Sequence, residues 1–277
     1  MATAKINDIE MYYEEHGDAD AEPVLLIMGF VGNALAWAPQ IPSLSEQYRV
    51  IAFDNRGAGR SGQPAGAYTI PQMADDAAAL LGHLGVDAAH IVGASMGGMI
   101  AQEFALRHPQ RVRTLSLLCT TPGGPNASTT ARLQESAREI METESLEASM
   151  TPERIEEAML EMFSPEFIAN PNAEFALFAA SALQFPATID GMKGQFQAIL
   201  AHDTYDRLPQ IAAPTLVLAG DTDPLVDPQD AHILADRIPG AQLQIFPRMR
   251  HGFNFEAAGG VNGALLQFIG AHAGVAA

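Results

Sequence analysis

The stretch His90-Ile91-Val92-Gly93-Ala94-Ser95-Met96-Gly97-Gly98-Met99-Ile100 restricts the fold more than any other part of the chain. An apolar run of strand type passes directly into a run of helix type, with no loop between them. Such a turn has to be sharp. Gly93 and Gly97 leave room for it, because a β-carbon at either place would crowd the neighbouring strand or helix. Ser95 at the apex is then held in a strained conformation, its hydroxyl exposed at the end of a sheet. The N-terminus of the following helix favours a developing negative charge there. A bare G-x-S-x-G is common, and a structural serine in a glycine turn is the plain alternative. The strand before and the helix after make Ser95 a candidate nucleophile.

The rest of the chain repeats this alternation. Ile6 to Glu15 reads as an opening hairpin strand. Short apolar runs follow at Val24–Met28, Tyr48–Phe53, His90–Gly93, Val112–Cys119, Thr215–Ala219 and Gln242–Phe246. Helical stretches at Ile70–Leu84, Met96–Arg107, Pro228–Ile238 and near Gly260–His272 sit between or after them. Strand and helix in turn predict an α/β fold with a mostly parallel sheet covered on both faces. The alternation breaks once, from about Pro122 to Pro209. There Arg132–Glu147, Pro152–Phe163, Ala173–Leu183 and Gly191–His202 read as helices. The expected organisation is a core of residues 1–121 and 210–277, with residues 122–209 as a helical cap, or lid, over the sheet's C-terminal edge.

A lone serine is a poor nucleophile and needs a base and an orienting carboxylate. Of eight histidines, His251 lies in the loop after the last strand, at the catalytic edge. His16, His83, His90 and His108 belong to early strands or helix ends; His202 falls in the cap, His232 inside a helix and His272 near the C-terminus. The acid should follow the strand Thr215–Ala219, where Asp221, Asp223 and Asp227 compete. Asp221 adjoins the turn glycine and Asp227 precedes Pro228 as a helix N-cap would, which leaves Asp223. The expected oxyanion donors are the backbone N–H groups of Met96, next to the serine, and Phe30, in the turn Met28-Gly29-Phe30-Val31-Gly32. The loop Phe53–Gly62 has glycines but no Gly-Lys-Ser/Thr, so Asp54 and Arg56 read as structural.

Composition narrows the remaining classes. A net charge of −18 disfavours nucleic acid or an anionic membrane as a partner. The single cysteine, Cys119, permits no internal disulfide and reads as a small core hydrophobe. No apolar segment reaches the length of a membrane span, and the first residues carry no signal-peptide run, so the expectation is a cytoplasmic protein acting on a small molecule. No Cys/His/Asp cluster has metal-ligand spacing, and no metal or organic cofactor is expected.

Together, Phe53–Gly62, His90–Ile100, Thr215–Val226 and His251-Gly252 resemble the α/β-hydrolase superfamily. The similar branch holds enol-lactonase-like enzymes, haloperoxidase- or perhydrolase-like esterases, carbon–carbon hydrolases and aclacinomycin methylesterase. The resemblance implies an eight-stranded sheet with the cap between strands six and seven, and it places the triad on Ser95, Asp223 and His251. Many members carry His-Gly before the oxyanion residue; this chain has Met28-Gly29, which weakens the carbon–carbon branch and is similar to the methylesterase-like members. Dehalogenases of this fold use an Asp nucleophile, and here the position is Ser95. The implied activity is hydrolysis of a small to medium, largely apolar ester or lactone. Carbon–carbon cleavage, peracid formation or a ligand-binding receptor are the alternatives. Met150, Phe163 and Phe185 are the cap's candidates for lining the substrate pocket.

Overall fold

The computed structural model describes residues 1–142, 158 and 160–274. The opening alternation forms two strands rather than one. β1 (Ala2–Ile6) and β2 (Ile9–His16) pair antiparallel, with Ile6 opposite Ile9. The chain reverses at Asn7-Asp8, and Asn7 takes a φ of +52°, which asparagine tolerates well. This two-residue turn splits the single strand expected from Ile6 to Glu15.

Six more strands follow: β3 (Pro23–Ile27), β4 (Arg49–Phe53), β5 (Ala89–Ala94), β6 (Val112–Leu118), β7 (Thr215–Gly220) and β8 (Gln242–Phe246). The eight-stranded sheet runs β1-β2-β4-β3-β5-β6-β7-β8. β2 meets β4 antiparallel, and every pairing from β4 to β8 is parallel. All six residues of β5 are buried, as a strand covered on both faces requires.

Side chains alternate between the two faces of the sheet. Along β3, Leu25 and Ile27 enter one apolar cluster, and Val24 and Leu26 the other. The helices divide accordingly. α1 (Ile41–Ser45) sends Leu44 to the second cluster, whereas α2 (Ile70–His83) and α3 (Met96–Arg107) pack Met73, Leu81, Ile100 and Phe104 on the first.

Between β6 and β7 lie α4 (Thr130–Glu142), α5 (Pro165–Ala169), α6 (Ala173–Gln184) and α7 (Ile189–Leu200), with no strand among the described residues. Of the expected helix Pro152–Phe163, residues 152–157 and 159 lie outside the described residues, whereas 158 and 160–162 are helical; Met150 also lies outside the described residues. α5 escapes sequence reading because it is barely one turn long; Ser164 caps it by accepting from the Phe167 N–H. The two ends of this helical segment meet at a bridge between Gly123 and Asp203. α8 (Pro228–Arg237), α9 (Phe253–Glu256) and α10 (Ala258–Gly270) complete the chain. α8 covers the first face with Leu234, and α10 the second with Val261 and Leu265.

Candidate active site

β5 delivers Ser95 to the C-terminal edge of the sheet, and α3 starts at the next residue. Ser95 has φ +56° and ψ −122°, a left-handed conformation that a residue with a side chain adopts only under constraint. The constraint is visible on every side. The Ser95 N–H donates to Leu118 O at 2.9 Å, and its carbonyl accepts from the Gly98 N–H at 2.8 Å and from Thr120 Oγ1 at 2.7 Å. A β-carbon on Gly97 would lie 2.0 Å from Ile27 O, and one on Gly29 would lie 2.8 Å from Ser95 Cβ. The strand, the helix and the loop after β3 thus approach as closely as their backbones permit. Ser95 remains half-buried, and its hydroxyl makes no hydrogen bond among the described residues.

β7 and β8, two and three strands further along, end in the loops that carry Asp223 and His251. His251 Nδ1 donates to Asp223 Oδ2 at 2.7 Å. Both are shielded, at 6% and 7% exposure, so the bond forms away from competing water. The other carboxylate oxygen of Asp223 accepts from the N–H groups of Leu225 (2.8 Å) and Val226 (3.0 Å). These bonds aim the carboxylate, and the carboxylate fixes the imidazole with Nδ1 protonated and Nε2 as acceptor. The two competing aspartates have other tasks. Asp221 accepts from the Arg248 N–H and ties the β7 turn to the histidine loop. Asp227 caps α8 by accepting from the Gln229 N–H. Cys119 lies beneath the site, fully buried, and burial followed by the nearby Asp223 charge pushes its thiol well up, which suits an inert core residue.

The Phe30 and Met96 N–H groups, the oxyanion donors expected from the sequence, find no acceptor among the described residues. The loop between β3 and the following turn is fastened around Phe30. Asn55 Nδ2 donates to Met28 O at 2.7 Å, Gln195 Oε1 accepts from the Val31 N–H at 2.7 Å, and Asp54 Oδ1 accepts from the Ala34 N–H at 2.7 Å. Asp54 also binds Arg60, while Arg56 is tied up by Asp76 and Asp8, so the loop after β4 is structural as its sequence implies.

The histidine segment is fastened to the helical segment between β6 and β7 in turn. Arg250 donates to Leu160 O, the Gly252 N–H donates to Met162 O at 2.7 Å, and Glu256 accepts from both the N–H and the hydroxyl of Ser164. Phe163 is buried against Gly252 in a cluster with Phe167, Phe175 and Phe255. Phe163 therefore stands beside His251. Phe185 instead faces the Arg60 guanidinium, 5.1 Å from its carbon. No helix among the described residues is long and apolar enough to cross a membrane. No group of three or more His, Cys, Asp or Glu among them is placed to hold a metal.

This strand order, with a strained serine after the fifth strand and a buried His–Asp pair after the last two, defines an α/β-type hydrolase. The chain belongs to the α/β-hydrolase fold family, whose profile matches residues 22–258. It is similar to a protein of Azorhizobium caulinodans named as a carbamate hydrolase (RutD), 34% identical over 98% of both chains. It also resembles a 3-oxoadipate enol-lactonase of Acinetobacter baylyi, 29% identical over 88% of this chain and 87% of that one. The enol-lactonase structure from Burkholderia xenovorans superposes with a TM-score of 0.83 at 27% identity, covering 97% and 99% of the two chains.

Proposed function

We propose that the chain hydrolyses carboxylic esters or lactones through an acyl-enzyme on Ser95. The observation that carries this reading is the buried 2.7 Å His251–Asp223 bond on the sheet edge that also presents the strained Ser95. In this mechanism His251 Nε2 takes the Ser95 proton as Oγ attacks the acyl carbon. Asp223 holds the ring and stabilises the imidazolium. The Phe30 and Met96 N–H groups receive the oxyanion, and the positive end of α3 adds to them. The imidazolium returns its proton to the leaving oxygen. His251 then activates a water molecule that releases the acid and frees Ser95.

Apolar groups surround these loops: Met28, Phe163 and the edge-to-face pair of Phe30 and Phe196, 5.7 Å apart. They suit a small to medium, largely apolar acyl or alcohol part. A carbamate presents the same kind of electrophilic carbonyl, and the name of the Azorhizobium relative makes it the second substrate class to try. The test pairs a fluorophosphonate probe with a panel of p-nitrophenyl esters, a lactone and a carbamate. Wild type should be labelled and turn over the esters or the lactone, and Ser95→Ala should lose about 10⁶-fold in kcat. A folded wild type that is neither labelled nor active ends the proposal.

A further inference from the structure

Gln195 is fully buried in the middle of α7, a helix that belongs to the cap and not to the sheet. It uses both ends of its amide. Oε1 accepts from the Val31 N–H at 2.7 Å, and Nε2 donates to Arg56 O at 2.7 Å. Val31 has φ +50°, a strained conformation for a β-branched residue. It persists because its N–H is held from one side while Asn55 holds Met28 O from the other, and Phe30 lies between these two anchors. The next cap residue, Phe196, packs its ring on that of Phe30. α7 itself is docked closely. A β-carbon on Gly191 would lie 2.4 Å from Gly57 O, and one on Gly194 would lie 2.7 Å from the Tyr68 ring. The reach of Gln195 to Val31 is therefore fixed by backbone contact and not by a flexible surface.

We infer that Gln195 is a positioning residue for the oxyanion hole: through Val31 it sets the direction of the Phe30 N–H, so the cap completes the reaction machinery of the core. The inference rests on the acyl-transfer reading given above. A misdirected donor costs transition-state stabilisation without weakening ground-state binding, because charge on the carbonyl oxygen appears only as Ser95 attacks.

Gln195→Met keeps the volume and removes both hydrogen bonds. Its kcat on p-nitrophenyl butyrate should fall about 100-fold, with KM within about twofold of wild type. The decisive comparison is with the thiono analogue, in which sulfur replaces the carbonyl oxygen and makes poor use of N–H donors. Wild type should prefer the oxygen ester strongly, and the variant should shrink that preference about tenfold. A role limited to stability lowers both substrates equally. Gln195→Ala, too small to clash, is the second variant and should shrink the ratio likewise; thermal melting confirms which of the two is folded. An active wild type with folded variants that keep the oxygen-to-sulfur ratio overturns the inference alone. A wild type that hydrolyses no ester overturns the acyl-transfer reading and this inference with it.

Discussion

The elbow turn at Ser95 and the histidine loop lie on the same edge of the sheet but are held in place by different physics. Around Ser95 the geometry comes chiefly from steric fit at short range: glycine backbones of β5, α3 and the loop after β3 touch, and side-chain bonds from Thr120, Asn55 and Gln195 fasten that contact. Around His251 the geometry comes from hydrogen bonds to distant partners: Asp223 on one side and cap residues 160–164 on the other. The first arrangement resists change because backbone packed on backbone cannot swing away. The second is adjustable, since side-chain latches can be replaced without rebuilding the sheet. A family that varies its substrates by varying its cap would keep the elbow and alter the latches.

The largest expected effect separates chemistry from architecture on the histidine side. Asp223→Asn keeps the shape but leaves His251 Nδ1 facing an amide, which favours the wrong tautomer. Its kcat should drop about 10⁴-fold with little loss of stability. Asp221→Asn alters only the turn bond to Arg248, and kcat should stay within about threefold of wild type. Equal losses in both variants, measured on one p-nitrophenyl ester, would show that the assignment of the acid is wrong.

On the elbow side the corresponding change is steric. A methyl group on Gly97 points at Ile27 O from 2.0 Å, and the target is backbone that cannot rotate aside. Gly97→Ala should destabilise the protein by about 3 kcal/mol and abolish fluorophosphonate labelling of whatever remains folded. A stable, fully labelled Gly97→Ala would mean that the elbow is more compliant than its contacts indicate.

The same contrast explains what could be read from the sequence. The elbow was legible because its determinants, Gly93, Ser95 and Gly97, are neighbours in the chain and sit between a clear strand and a clear helix. Asp223 was reachable by elimination, because Asp221 and Asp227 carry local turn and capping signals that the structure shows in use. The parallel strands followed from buried runs of strand length, whereas the count of eight came from the family resemblance, because the opening alternation read as one strand and forms two. Gln195, Glu256 and the contact of Gly252 with Phe163 were not legible. Gln195 lies 164 residues from Val31 and Glu256 lies 92 residues from Ser164, so no periodicity or local motif marks them. Phe163 drew notice only as one aromatic among several, and its place against Gly252 depends on how the cap folds back.

Gly252 tests whether the latch behaves as the comparison says. Its missing β-carbon would sit 2.1 Å from Phe163 Cε1, but here the obstacle is a side chain. Gly252→Ala should cost about 2 kcal/mol and lower kcat about tenfold, since residue 252 adjoins His251. Phe163→Leu in the same chain should recover part of both losses, whereas no second change should rescue Gly97→Ala. Additive losses from Gly252→Ala and Phe163→Leu, in a double-mutant cycle followed by thermal and denaturant melts, would remove the latch from the account.

The smallest effect is expected where the cap joins the core. His202 follows α7 and lies beside Gly123, and Gly124 donates to its carbonyl at 3.0 Å. Neither ring nitrogen has a hydrogen-bond partner among the described residues. Burial first, and then the Arg207 charge, lower its pKa to about 3. The unfolded chain takes up a proton near pH 6.5, but the folded protein does not until about pH 3. Stability is therefore intact above pH 6.5 and falls as the pH drops toward 3, by about 1.4 kcal/mol per pH unit once well below 6.5. His202→Leu removes this share of the acid limb. Between pH 7 and pH 5.5 wild type should lose about 1 kcal/mol more than the variant, read from urea midpoints at the two pH values. His90, lowered to about 4 chiefly by burial, contributes the same way in both proteins and leaves the difference unchanged. If the two proteins lose stability in parallel, the junction between cap and core does not depend on a neutral His202, and the adjustable part of the molecule is confined to the latches at Gln195 and residues 160–164.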